Sequence, residues 1–131
     1  MTTNYVDAFI SISPDSSASE STEPKAGTVA AAHLRLLREK PYGYTSDELL
    51  FTVHAERAGI AESDQQQAWQ EFRAKPTACL RASALVRSYG WGLHHDGQSK
   101  VAAYGVETDS YRDFLARKDL KQTYGMRKRR A

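Results

Sequence analysis

Apolar side chains recur at every second position near the start of the chain: Val6, Ala8, Ile10 and Ile12 mark residues 5–12 as a strand with one buried face. Over 13–27 large apolar residues give way to Ser, Thr, Glu and Pro. Such a stretch buries too little surface to offset its ordering entropy, and it reads as a loop or mobile linker. Helical spacing then begins at Val29, with Ala30, Leu34 and Leu37 on one face, Thr28 as a cap and Lys40-Pro41 as a stop. Thr45-Ser46-Asp47-Glu48 is a T-x-x-E capping box opening a second helix that turns Leu49, Leu50 and Val53 inward and ends at Gly59. Ser63-Asp64-Gln65-Gln66 reads as another box, ahead of Ala68, Trp69 and Phe72, and Lys75-Pro76 closes that helix.

Beyond Pro76 two patterns compete. Leu80, Ala82 and Ala84 alternate with Cys79, Arg81 and Ser83, which favours a strand over 79–83, while the alanine content and Leu85-Val86 also suit a short helix. Residues 91–95 and 100–106 flank Asp96-Gly97-Gln98-Ser99, a turn of hairpin length. Tyr111, Phe114 and Leu115 follow Thr108-Asp109 at helical spacing and predict a closing helix. These elements predict an α+β fold, a small antiparallel sheet of about four strands packed with about four helices. Residues 1–131 form one domain in this reading, with a basic tail over 125–131.

Composition narrows the class. The chain has 131 residues, 40% of them hydrophobic and 26% charged, as expected of an ordinary globular domain. No apolar run exceeds four residues, where a membrane span needs about 20. The first residues lack the basic and apolar regions of a secretory signal, so a cytoplasmic location is expected. The single cysteine, Cys79, excludes an internal disulfide and a thiolate-rich zinc site. No metal site and no cofactor are expected, since HExxH, CxxC, Walker-type and GxGxxG patterns are all missing. The net charge of +2 hides an asymmetry: residues 112–131 carry eight Lys/Arg against two Asp, and the remainder is mildly acidic.

Candidate chemistry concentrates between 79 and 95. If 79–83 is a strand, Cys79, Arg81 and Ser83 share a face; if Trp91 and Leu93 point to the core, Gly92 and His94 point away. Arg81, Arg87, Tyr89 and Trp91, with glycines at 90, 92 and 105, suggest a place for a phosphate or carboxylate. Packing against the core and surface ion pairs is the plainer account of the same residues. The leading functional expectation is a non-catalytic binding domain in which Arg81, Ser83, Arg87, Tyr89 and His94 hold a small anionic ligand or a protein partner. A rival is a thiol-dependent enzyme using Cys79 and His94, which requires the two side chains to meet. A third is nucleic-acid binding through Arg127, Lys128, Arg129 and Arg130.

The blocks Asn4-Tyr5-Val6-Asp7-Ala8-Phe9-Ile10, Pro41-Tyr42-Gly43-Tyr44-Thr45-Ser46-Asp47, Cys79-Leu80-Arg81-Ala82-Ser83, Tyr89-Gly90-Trp91-Gly92-Leu93-His94 and the ending Met126-Arg127-Lys128-Arg129 carry a resemblance over nearly the whole chain. They are similar to a family of small, single-domain bacterial proteins known only as a domain of unknown function. The resemblance implies a single-domain bacterial protein and assigns no residue a role. Its pattern tends to have proline where this chain has Ala84, which implies a turn after Ser83 rather than a helix running through it.

Overall fold

The structure, a computed structural model, describes residues 2–127. Its centre is a four-stranded mixed sheet of order β3-β2-β1-β4. Strand β1 (Ala8–Ser11) pairs antiparallel with β2 (Trp91–His95), which pairs antiparallel with β3 (Val101–Gly105). On its other side β1 runs parallel to β4 (Lys121–Tyr124). The expectation of a wholly antiparallel sheet is therefore corrected. The fourth strand is Lys121–Tyr124 and not 79–83. Three of its four residues are exposed, so it lacks the apolar alternation that marks a half-buried strand, and its charge and polarity suit an unpaired edge.

Four longer helices flank the sheet: α1 (Val29–Glu39), α2 (Ser46–Ala58), α3 (Gln65–Ala74) and, after the short α4 (Ala84–Arg87), α5 (Asp109–Ala116). The α1 start is capped by the Thr28 hydroxyl, which accepts from Ala31 N. The α2 start carries the full reciprocal box between Thr45 and Glu48, and Gly59 ends the helix at φ +66°, a conformation that glycine adopts without a Cβ penalty. The box expected at Ser63 does not form. Residues Glu62–Asp64 make a 3-10 turn leading straight into α3, and no side chain caps that helix. With Ser63 inside the turn, the extended backbone that a cap requires is not available to it.

Residues 79–83 are likewise not a strand. Leu80–Ala82 is a 3-10 turn and Ser83, extended at φ −66° and ψ 139°, caps α4 by accepting from Leu85 N. Leu85 and Val86 are both fully buried. Neighbouring residues buried together fit a helix end wedged into the core and not a pleat whose side chains alternate. The turn after Ser83 that the resemblance implied is present, with Ala84 at the first helical position.

Two apolar layers sandwich the sheet. On one face Ile10 and Leu93 meet Leu34, Leu37, Leu49, Val53, Leu80 and Leu85; on the other Phe9 packs with Tyr111 and Leu120, flanked by Phe114 and Tyr104. The single buried face expected of the first strand is corrected, because Ala8, Phe9 and Ile10 are all at 0% exposure while Val6 lies outside at 58%. Helix α5 supplies the second cover. Gly92 makes this possible: a Cβ there would stand 2.6 Å from both the Phe9 and the Tyr111 rings. The loop over 13–27 is pinned by Thr22 N to Tyr89 O, Trp91 Nε1 to Thr22 O, and a paired Arg38–Glu23 contact.

Candidate binding cleft

Helix α3 buries no residue fully. It rests on α2 through Trp69 and Phe72, whose rings meet Phe51 edge-on at 5.1 and 5.5 Å. Because this outer helix covers α2 only in part, a cleft remains between α1, α2, α3 and the segment 77–84. It consists of two hollows of about 410 and 280 Å³ that share Val29, His33 and Leu50. That is the size range of small-molecule sites, roughly 300–1,000 Å³. Val53, Ala58 and Phe72 line the larger hollow, with His54 and Arg57 at its margin; Leu80, Ala82 and Ala84 line the smaller one with Cys79 and Ser83.

His33 stands where the hollows join. It is 4% exposed, and its buried Nδ1 has no hydrogen-bond partner. Burial pushes its pKa down to about 4, so at neutral pH it is an uncharged imidazole with one N–H and one lone pair. A buried polar atom without a partner costs about 1–3 kcal/mol, and a ligand that bonds it recovers that cost. Arg57 Nη1 donates to Gly27 O at 3.0 Å, and among the described residues Arg57 forms no ion pair. The neighbouring Glu56 is taken by Arg35 at 2.9 Å.

The residues singled out from the sequence scatter. Cys79 and Ser83 come together in the smaller hollow, Ser83 also serving as the α4 cap. The Cys79 Sγ lies 3.4 Å from Tyr5 Oη. Desolvation, reinforced by that contact, raises the Tyr5 phenol to about 12. Arg81 turns to the sheet edge, donating from Nε to Tyr124 O at 2.6 Å with its guanidinium over the Tyr124 ring. Arg87 ends α4 with a buried, unpartnered Nε. Tyr89 is half-buried against the core. Arg127 is exposed, and Lys128, Arg129 and Arg130 lie outside the described residues.

His94 belongs to the opposite face. Its Nδ1 is 2.8 Å from Tyr42 Oη, which is 2.8 Å from Tyr104 Oη, and Phe114 stacks on its ring at 4.1 Å. Burial, then Arg117, lower its pKa, while Asp96, Asp7 and Asp119 act in the other direction. The next residue, His95, faces the Tyr5 ring at 5.3 Å on the core side. Since Tyr5 contacts Cys79, the thiol and His94 are on different faces of the sheet and do not form a nucleophile–base pair. The anion site built from Arg81, Tyr89 and His94 is not assembled either. The hairpin glycines are occupied by the protein itself: at Gly90, φ +79°, Glu20 O is 2.8 Å from the place of a Cβ.

Sequence reasoning missed His33 and Arg57. The signal for His33 was its position, three residues after Ala30 and next to Leu34 on the apolar stripe of α1, where a polar ring must find a partner or lack one. Nothing local marks Arg57, because its margin is built from distant segments. Among the described residues no group of three or more His, Cys, Asp or Glu is placed to hold a metal ion, and no helix is long and apolar enough to cross a membrane.

No curated protein and no solved structure matches this chain. Its sequence instead matches, over residues 1–131, a family of unknown function (DUF6157), and the chain belongs to that family.

Proposed function

We propose that this chain is a non-catalytic binding domain whose ligand is a small, largely apolar molecule seated in the cleft around His33. The observation that carries the reading is the partnerless, buried Nδ1 of His33 in the wall of an otherwise apolar hollow of ligand size. A core histidine in a closed layer would gain nothing from being there, whereas one beside open space offers a bond to an incoming polar group. The cytoplasm is the compartment proposed for it, in keeping with a lone cysteine that stays a thiol.

Thermal unfolding in the presence of a panel of alkyl alcohols and small aromatic alcohols tests this. A ligand at 100 times its dissociation constant stabilises by about 2.7 kcal/mol. Ala58→Trp, an exposed position lining the larger hollow, fills the space without removing a core contact and is expected to abolish the shift. A flat response across the panel in the unaltered protein sinks the proposal.

A second reading is favoured by the sheet edge. Tyr124 is 45% exposed beneath the Arg81 guanidinium, and Lys121 lies over the Tyr5 ring, a basic and aromatic surface of the kind that stacks single-stranded nucleic acid. Binding of an oligothymidylate that weakens steeply with salt, and further in Tyr124→Ala, supports it; no binding at low salt removes it.

A further inference from the structure

We infer that the ligand of the cleft is an amphipathic monocarboxylate, its head group held at the margin by Arg57 and its apolar body running past His33 toward Cys79. This inference rests on the binding reading given above and adds the charge, the polarity and the direction of the ligand.

Three observations carry it. The first is the isolation of Arg57. The other cations of this surface have acidic partners, Arg35 pairing with Glu56 and Glu39 and Arg38 with Glu23. Arg57, in the last turn of α2, spends one donor on Gly27 O, and a guanidinium carries five. That hydrogen bond ties the side chain to the residues just before α1, beside Val29, which is 44% exposed on the lip of the cleft. A planar fork held in this way at an apolar opening matches a carboxylate, which accepts two parallel hydrogen bonds, better than it matches a hydroxyl.

The second is the absence of acidic side chains from the cleft. Neither hollow is lined by Asp or Glu, so a cationic head would find no counter-charge, while an anionic one meets Arg57 with His54 nearby. The third is the continuity of the hollows through His33. An apolar body entering at Arg57 passes Leu50 and His33 and reaches Ala82 and Cys79 in the smaller hollow. His33 can bond one polar substituent part-way along it. The chain's own basic ending, Lys128 to Arg130, is repelled by Arg57 and is a poor occupant.

Matched ten-carbon ligands separate the possibilities. Calorimetric titration with decanoate, decanol and decylamine is expected to rank decanoate at least about tenfold tighter than the other two, a difference of about 1.4 kcal/mol. Arg57→Gln should remove that preference while leaving decanol binding unchanged, and Arg57→Lys should restore part of it. Equal affinities for decanoate and decanol, or an Arg57→Gln variant that still prefers decanoate, overturn the inference while leaving the binding reading in place. Failure of all three ligands to bind overturns both. Direction is read from Cys79: decanoate should slow its alkylation by N-ethylmaleimide and butanoate should not. Equal protection by both acids, or by neither, overturns the proposed path. A molar mass that doubles with concentration and falls on adding decanoate shows a second copy as the resident occupant and also counts against it.

Discussion

His94 and His95 are neighbours in β2, and the strand sends them into opposite environments. His94, on the α5 side, has Tyr42 Oη at 2.8 Å and a stacked Phe114. His95, on the α1 side, is at 0% exposure with neither ring nitrogen hydrogen-bonded. One face has completed its polar network, and the other buries imidazoles at a cost. His33 on that second face is similarly unsatisfied at Nδ1, but it borders the cleft, and this is why the two faces differ in what they offer a ligand. The comparison separates a histidine tolerated by its surroundings from one that an incoming molecule can satisfy.

Truncating the side that carries the larger core should have the greatest effect. Leu80, 1% exposed, is expected to cost about 2–5 kcal/mol as Leu80→Ala, read as a drop in the urea midpoint; an unchanged midpoint would mean that the segment before α4 does not hold the core. Next comes acid. Burial pushes His95 down to about 4, with His94 adding to the effect, so between the ordinary value near 6.5 and about 4 the unfolded chain binds more protons than the folded one. The stability linked to His95 is complete above about pH 6.5, shrinks as the pH falls and is lost near pH 4, on the order of 3 kcal/mol. His95→Leu should flatten this slope in urea melts from pH 7 to 4, and an unaltered slope would show that His95 does not titrate in this way. On the satisfied face, Tyr42→Phe removes the hydroxyl shared by His94 and Tyr104 and should cost about 1–2 kcal/mol, measured by the same melts; no change would show the network to be idle. The smallest effect expected is a gain. In Ala84→Pro the proline takes the first position of α4 after an extended Ser83, and about 0.4–1 kcal/mol of stabilisation should appear as a higher Tm. A lower Tm would mean that the ring clashes with the cleft wall.

What could be read from the chain was whatever is local. The caps at Thr28 and Thr45 and the stop at Gly59 follow from side-chain chemistry within a few residues, and the hairpin is announced by Asp96, whose carboxylate accepts from Gln98 N and Lys100 N across the turn. What escaped depends on the rest of the molecule. Strand β4 is held by its pairing with β1 and by little of its own composition, and residues 79–87 are too short for either period to prevail until Leu85 and Val86 meet the core. The cleft was illegible for the same reason. His33 and Arg57 are on different helices, and Cys79 and Ser83 join them from a turn far along the chain.

The parallel pairing of β1 with β4 has a consequence for how the molecule is made. The most central strand is the earliest to be synthesised, and one of its two neighbours is the last. Until residue 124 has emerged, the flank of β1 that β4 will cover has no partner strand, and a ribosome-bound chain cannot complete the sheet by local steps. Folding must close on the newest segment, and a chain cut short before Lys121 would carry an open template on its middle strand, prone to recruiting a strand from another molecule.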